Sequence, residues 1–309
     1  MADASGGGEF AAIGRIARRL GPAPAGETWV GDDAAVVRIG GVLIVAAADA
    51  LVAGVHAELG LTSLADLGWK AIAVNVSDLA AMGCVATRAL VTVSGASAVE
   101  VDALYEGVAE AATAFGCPVV GGDLTGGPAL VVSVSVLGSG EGQPGPVLRS
   151  GARSGDEIWV SGPLGAASAG LRALRSGSAT TPAAAHLVAA HARPVPRVAA
   201  GVAARELGAT AMIDVSDGLA ADLGHLLDAS GVGCALDRVP VAAGATEEDA
   251  RAGGDDYELV WCAPPEAAMA AGFAARGLTR PLRIGRCVGD PGERRVGHVP
   301  LGSAGWTHF

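Results

Sequence analysis

Apolar positions along this chain fall into runs of helical or strand period, and run after run ends in an aspartate. Phe10, Ile13, Ile16 and Leu20 recur at helical spacing with arginines between them, which predicts a helix over 9–20. The run 42–48 is apolar throughout, reads as a buried strand and stops at Asp49. Ser63-Leu-Ala-Asp66 resembles a capping box, with Asp in place of the usual Glu or Gln. It opens a helix that runs to about Met82 and is closed by Gly83. At about 100° per residue, Leu64, Leu67, Ala71, Val74 and Met82 form one stripe, and Asp78 falls inside it. Ser63, Asp66, Lys70 and Ser77 mark a polar arc on another side. An ionised carboxylate in an apolar stripe is costly unless paired or metal-bound. Asp78 is therefore the sharpest anomaly in the sequence.

A strand is expected at 89–93, a helix carrying Tyr105 at about 99–115, and a short apolar strand running into Gly121-Gly-Asp123. Val132, Val134 and Val136 alternate with Ser133 and Ser135, the pattern of a strand covered on one face. Residues 139–148, rich in Gly and Pro, read as a linker between an N-terminal domain (1–138) and a C-terminal domain (149–309). Beyond it, 158–160 reads as a strand and 162–174 as a Gly-rich turn into a helix. Ala211-Met-Ile213 ends a buried strand; Asp214, Ser216 and Asp217 follow, and then Leu219, Leu223, Leu226 and Leu227 at helical spacing. Such a handover suits caps, anions and metals. A plain helix cap by Ser216 or Asp217 is the alternative to a ligand role.

Composition narrows the chemistry. The 309 residues allow two domains, and with 50% hydrophobic but only 4% aromatic residues the core must rest on Ala, Val and Leu. The net charge of -11 and a single lysine, Lys70, argue against a nucleic-acid or polyanion binder. Lys70 lies in no P-loop, so any phosphate must be neutralised by metals or arginines. Cys84, Cys117, Cys234, Cys262 and Cys287 are far apart and form no C-x-x-C pair, so buried free thiols are expected. No signal peptide and no membrane-length apolar run are visible, which gives a cytoplasmic protein as the expectation.

Asp33, Asp49, Asp78, Asp123, Asp214 and Asp217 each border an apolar segment, and they come from both halves of the chain. Two such charges about 4 Å apart repel by roughly 4 kcal/mol at an effective dielectric of about 20. If they converge, a cation must hold them together. Oxygen ligands without Cys or His favour Mg²⁺, Mn²⁺ or Ca²⁺ over zinc. The alternative is that several of these acids cap helices or face water.

A resemblance runs through the same residues. Val30-Gly-Asp-Asp-Ala-Ala, Asp49-Ala-Leu-Val-Ala-Gly-Val-His56, Val74-Asn-Val-Ser-Asp-Leu-Ala-Ala-Met-Gly83 and Gly121-Gly-Asp123 are similar, in order and spacing, to motifs of the thiamine-monophosphate kinase family. So are Arg149-Ser-Gly-Ala, Asp214-Val-Ser-Asp-Gly-Leu219, Gly254-Asp-Asp-Tyr-Glu-Leu259 and the closing Trp-Thr-His-Phe. That family belongs to the aminoimidazole-ribonucleotide-synthetase-like superfamily. The resemblance implies an α/β plus α+β fold: an N-terminal mixed sheet with helices, pairing across a homodimer, and a C-terminal α+β sandwich. It implies ATP and thiamine monophosphate as substrates, several Mg²⁺ ions, and direct in-line transfer giving thiamine diphosphate. Carried over by motif, Asp33, Asp49, Asp78, Asp123, Asp214 and Asp217 would hold Mg²⁺. Tyr105, Gly122, Asp123, Arg149 and Ser216 would contact ATP, and His56, Asp255 and Trp306 the thiamine substrate. No side chain is assigned as acid or base; Asp217 and Arg149 are the nearest catalytic candidates.

Four stretches depart from the family pattern. Ala47 and Ala48 stand where hydroxyl residues are usual, and Leu124-Thr125-Gly126 replaces Thr-Thr-Arg. Asp255 replaces a Glu, and Ala57 replaces an aromatic. A sibling ATP-dependent enzyme of the superfamily is one alternative. A non-catalytic Mg²⁺/nucleotide-binding module is another, and it predicts ATP binding without product.

Overall fold

The computed structural model describes residues 8–182 and 184–307. Residues 1–7, residues 308–309 and the side chain of Phe10 lie outside what is described. The first half contains helices α1 (Glu9–Leu20), α2 (Leu64–Ala81) and α3 (Ala98–Ala114). Its strands are β1 (Ala35–Ile39), β2 (Val42–Val52), β3 (Ala86–Ser94), β4 (Val119–Thr125) and β5 (Val131–Ser139). They form a mixed sheet in the order β1-β2-β5-β3-β4, antiparallel except for the β3–β4 pair. Val132, Val134 and Val136 of β5 are buried, as their alternation predicts.

Helices α2 and α3 lie on that sheet and cross closely. Two glycines permit the approach. A Cβ on Gly107 would sit 1.7 Å from the Ala65 carbonyl oxygen, and one on Gly68 would sit 2.1 Å from that of Leu104. Both obstacles are backbone, which cannot swing aside. Gly107→Val should therefore cost about 3 kcal/mol or more, read as a lowered urea midpoint; an unchanged midpoint would refute this reading of the crossing.

The second half begins with β6 (Glu157–Val160), α4 (Ala166–Arg175), α5 (Ala185–Ala192), α6 (Val198–Glu206) and β7 (Ala211–Asp214). It continues with α7 (Leu219–Ser230), β8 (Gly233–Leu236), α8 (Glu247–Ala252), β9 (Leu259–Ala263) and α9 (Met269–Ala275). Strands β10 (Leu282–Val288), β11 (Arg294–Val296) and β12 (Val299–Pro300) complete a sheet ordered β12-β11-β8-β10-β6-β9-β7. Leu219, Leu223, Leu226 and Leu227 of α7 are buried in the core of this half. The five cysteines are free and buried, as expected.

The two halves join along α2. Its Ala80 and Ala81 pack in one cluster with Ala203 and Ala204 of α6, Trp261 and Phe273, whose rings stack at 5.5 Å. This contact changes the meaning of the polar arc on α2. Leu67, Ala71, Val74 and Met82 are buried as expected, but Lys70 and Ser77 are buried too. At Lys70 and Ser77 the arc faces the second half of the chain, while Ser63 at its start stays exposed. The helix at α1 also forms as its periodicity predicts, yet Ile16 and Leu20 stay half exposed. Among the described residues no helix is long and apolar enough to cross a membrane.

Candidate active site

A cavity of about 1180 Å³ runs between the halves, lined by Asp33, Asp49, Asp78, Asp214, Asp217 and Arg149 among others. Its centre is a carboxylate cluster. Asp33 from the loop before β1, Asp78 from α2 and Asp214 from the end of β7 bring oxygen atoms within 4.8 Å of one another. Asp78 reaches the cleft because it sits one residue beyond Ser77, whose hydroxyl donates to Asp214 Oδ2 at 2.5 Å across the seam. Asn75, one turn earlier, accepts the Asp49 backbone N–H at 2.8 Å and fixes β2 against the same helix.

Electrostatics agrees with the geometry. Burial, and then the carboxylates of Asp49, Asp214 and Asp33, push Asp78 well above the usual carboxylate range. Burial and Asp33 push Asp214 up to about 7, and burial and Asp33 push Asp32 up to about 6. Arg149 is the counter-charge. Its guanidinium donates to Asp33 Oδ1 at 2.6 Å, and its backbone N–H donates to both oxygens of Asp32 at 3.2 and 3.1 Å. Burial opposes the Arg149 charge, but Asp33, Asp32 and Asp214 outweigh it and hold the proton on.

One arginine does not balance the cluster. Asp33 Oδ2 is buried with no hydrogen-bond partner, and all the converging donors are oxygen. An orphaned anionic atom in an all-oxygen set fits a hard divalent cation such as Mg²⁺. This has a consequence for stability. A carboxyl with a raised folded pKa binds more protons native than unfolded, so its contribution is lost as pH rises from the unfolded value towards the folded one. The metal-free chain should therefore lose thermal stability between about pH 5 and 7.5. His191, lowered to about 4 by burial and by Lys70, and His225, lowered by burial and by Arg149, work the other way, but they are two groups against several. Added Mg²⁺ should raise the melting temperature more at pH 8 than at pH 5. A metal-free melting temperature that rises over this range would contradict the assignment.

The turn after β7 differs from the simple capping alternative. Neither Ser216 nor Asp217 caps α7, whose N-cap is Gly218 with no side-chain bond. Instead Asp222, one turn into the helix, reaches back and accepts the N–H groups of Asp217 and Gly218, each at 3.0 Å. Ser216 and Asp217 are left lining the cleft. The Asp217 carbonyl accepts the Trp306 N–H at 3.1 Å, which brings the half-exposed Trp306 ring to the cleft wall. His56 lines the cleft as well, and its Nδ1 accepts the Val52 N–H at 3.0 Å.

The acids of 255–258 divide their work. Asp255 pairs with Lys70 at 2.7 Å. Asp256 accepts the Gly165 and Ala167 N–H groups and so caps α4; burial pushes it up to about 7. Glu258 pairs with Arg197 at 2.5 Å.

Three expected site residues are not brought to this cleft. Tyr105 on α3 lines a separate hollow with Val108, Pro118 and Val119. Gly122 and Asp123 lie exposed on β4, at the sheet edge. The register runs Asp49–Val134–Val91–Gly122 across three strand spacings, or about 14 Å. Asp123 therefore cannot share an ion with Asp49 of the same chain. Lys70, Ser77, Asn75, His191 and Asp222 were absent from the sequence-based site. A residue reaching back five positions to a turn, like Asp222, was a detectable signal; Asn75 depends on the packing of α2 against β2, and the others on the docking of the halves.

The comparisons with known proteins come to the same place. Residues 31–139 match the family model for the AIR synthase related protein N-terminal domain, and 153–298 that for the C-terminal domain. The chain is 38% identical over 310 residues to thiamine-monophosphate kinase of Mycobacterium tuberculosis, covering 98% of this chain and 92% of that one. It is 38% identical over 277 residues to the enzyme of that name from Salmonella typhimurium, covering 83% of each. The solved structure of AaThiL complexed with AMPPCP and TMP superposes with a TM-score of 0.86 at 32% identity, covering 98% of this chain and 97% of that one. Structures of HypE, 17% to 19% identical with TM-scores of 0.64 to 0.67, share the fold alone. The chain belongs to the AIR synthase related proteins and, within them, to the thiamine-monophosphate kinase family.

Proposed function

We propose that this chain transfers the γ-phosphoryl group of ATP to the phosphate of thiamine monophosphate, directly and in line, giving thiamine diphosphate and ADP. The observation that carries it is the convergence of Asp33, Asp78 and Asp214 from both halves on one cleft, with Asp33 Oδ2 unpartnered. The relatives' names and the AMPPCP and TMP bound in AaThiL support the substrates.

The acceptor phosphate is already an anion at neutral pH, so its oxygen can attack the γ-phosphorus without a strong base while the bond to the β-phosphate oxygen breaks. The barrier is electrostatic and entropic. Asp33, Asp49, Asp78, Asp214 and Asp217 would hold Mg²⁺, which supplies charge stabilisation to the two polyanions and the transferring group. Arg149 and Ser216 orient the nucleotide phosphates; Arg149 exchanges part of its contact with Asp33 for them. His56, Asp255 and Trp306 face the thiamine moiety, where the indole can stack on the cationic thiazolium. A homodimer completes the site, with Tyr105, Gly122 and Asp123 of a second copy reaching this cleft. Residues 139–148 serve as the joint between the two domains, and the enzyme works in the cytoplasm.

Incubation with ATP, Mg²⁺ and thiamine monophosphate, with and without EDTA, tests the reading by chromatography. EDTA-sensitive thiamine diphosphate with equimolar ADP is expected. ATP binding without product would favour the non-catalytic module; no ATP binding would refute phosphoryl transfer.

A further inference from the structure

Two turns of α2 separate the acidic cluster from a second polar corner of the same cleft. Ser77 meets Asp214 at one end, and Lys70, seven residues earlier on the same face, meets Asp255 at the other. That spacing is about 10 Å along the helix. The corner is built with care. Asp255 has φ 69° and Tyr257 φ 50°, a left-handed backbone that non-glycine residues adopt at a cost. The Asp255 N–H donates to the Ser216 carbonyl at 2.8 Å and the Tyr257 N–H to that of Val215 at 2.9 Å, which hold the strained segment down.

The side chains are fixed as well. Lys70 Nζ, almost fully buried, donates to Asp255 Oδ2 at 2.7 Å, and the Tyr257 hydroxyl donates to Oδ1 at 3.2 Å. The carboxylate therefore cannot rotate, yet each oxygen keeps acceptor capacity. His191, 5% exposed, lines the cleft beside it. Its Nδ1 makes no hydrogen bond to protein and stands 3.7 Å from Asp255 Oδ2, too far for a direct one. Burial and the Lys70 charge keep the ring neutral near pH 7, so one of its nitrogens is an acceptor. A fixed carboxylate oxygen and an unsatisfied ring nitrogen, side by side, match a group with two N–H donors.

We propose that Asp255 and His191 form a recognition corner for an exocyclic amino group on the substrate's heteroaromatic ring, with Lys70 as the positioning residue that locks Asp255. This rests on the thiamine-phosphate reading above and deepens it: the phosphate lies at the acidic cluster and the aminopyrimidine at the corner. Lys70 touches no reacting atom and acts through Asp255.

The test compares kcat/KM for thiamine monophosphate with that for the analogue whose ring amino group is replaced by a carbonyl oxygen. A site whose acceptors are built for two N–H donors should reject the analogue by about 100-fold or more. Lys70→Met should raise KM for thiamine monophosphate at least about tenfold while leaving the KM for ATP within about threefold. His191→Leu should lose most of the discrimination, and His191→Asn, which keeps a polar atom near the Nδ1 position, should retain part of it. The wild-type comparison needs no substitution, so a variant that fails to fold does not remove the test. Equal use of both substrates by the wild type overturns the inference alone. So does undiminished discrimination in folded Lys70→Met and His191→Leu. Absence of thiamine diphosphate from the wild type overturns the underlying reading, and the inference with it.

Discussion

Asp78→Asn lowers kcat at least about 10³-fold, equivalent to about 4 kcal/mol of transition-state stabilisation, while the fold survives. The substitution keeps size and shape. In the metal-free protein Asp78 is pushed towards its protonated form by burial and three neighbouring carboxylates, so a neutral amide suits that state well. What the amide cannot do is lend a full negative charge to a cation. Asp78, Asp33 and Asp214 each offer an oxygen within 4.8 Å of the others, so its loss leaves the cation one carboxylate short. Steady-state kinetics beside a melting curve measure both halves of the expectation. Full activity would place Asp78 outside the metal site and make the site map wrong.

Mixing inactive Asp78→Asn protein with inactive Asp123→Asn protein restores activity that neither has alone. Asp123 sits on the exposed edge strand β4, three strands from Asp49, and no rotamer closes that distance. If its carboxylate serves phosphoryl transfer, it serves the cleft of another copy. Each mixed dimer then holds one doubly damaged site and one intact site, the latter built from Asp78 of one chain and Asp123 of the other. With random subunit exchange half the dimers are mixed, so about a quarter of wild-type activity returns. Exchange under mild denaturant followed by the product assay measures it. A mixture that exchanges but stays inactive would place Asp123 outside the site or within its own chain's.

Much of this arrangement was legible because aspartates in apolar surroundings leave a local trace. Asp78 stood out from helical phase alone, and Asp214 from the abrupt end of an apolar run. Their convergence with Asp33 is what the family resemblance implied and what the cluster shows. The polar arc of α2 was legible as polar, but what covers it was not. Periodicity tells which side of a helix is polar, but not whether water or another half of the chain covers it. Lys70 and Ser77 are covered, and they supply the two contacts across the seam that frame the cleft. Strand order is likewise invisible to local pattern. Gly121-Gly-Asp123 reads like the other strand-then-acid motifs, yet β4 lies at the far edge of the sheet. His191 gave no signal at all, since a histidine in an Ala-rich helix is ordinary until Asp255 is placed beside it.

One single-turnover experiment bears most directly on the central claim that the interdomain cleft passes a phosphoryl group straight between two bound substrates. Excess enzyme is mixed with ATP labelled at the γ-phosphate and thiamine monophosphate, with Mg²⁺ or with EDTA, and quenched over time. Label should move to thiamine diphosphate in step with ADP formation, only with Mg²⁺, and never to the protein; in Asp78→Asn it should stay on ATP. Label trapped on the protein, or released as inorganic phosphate while thiamine monophosphate is unchanged, would contradict direct transfer at this cleft.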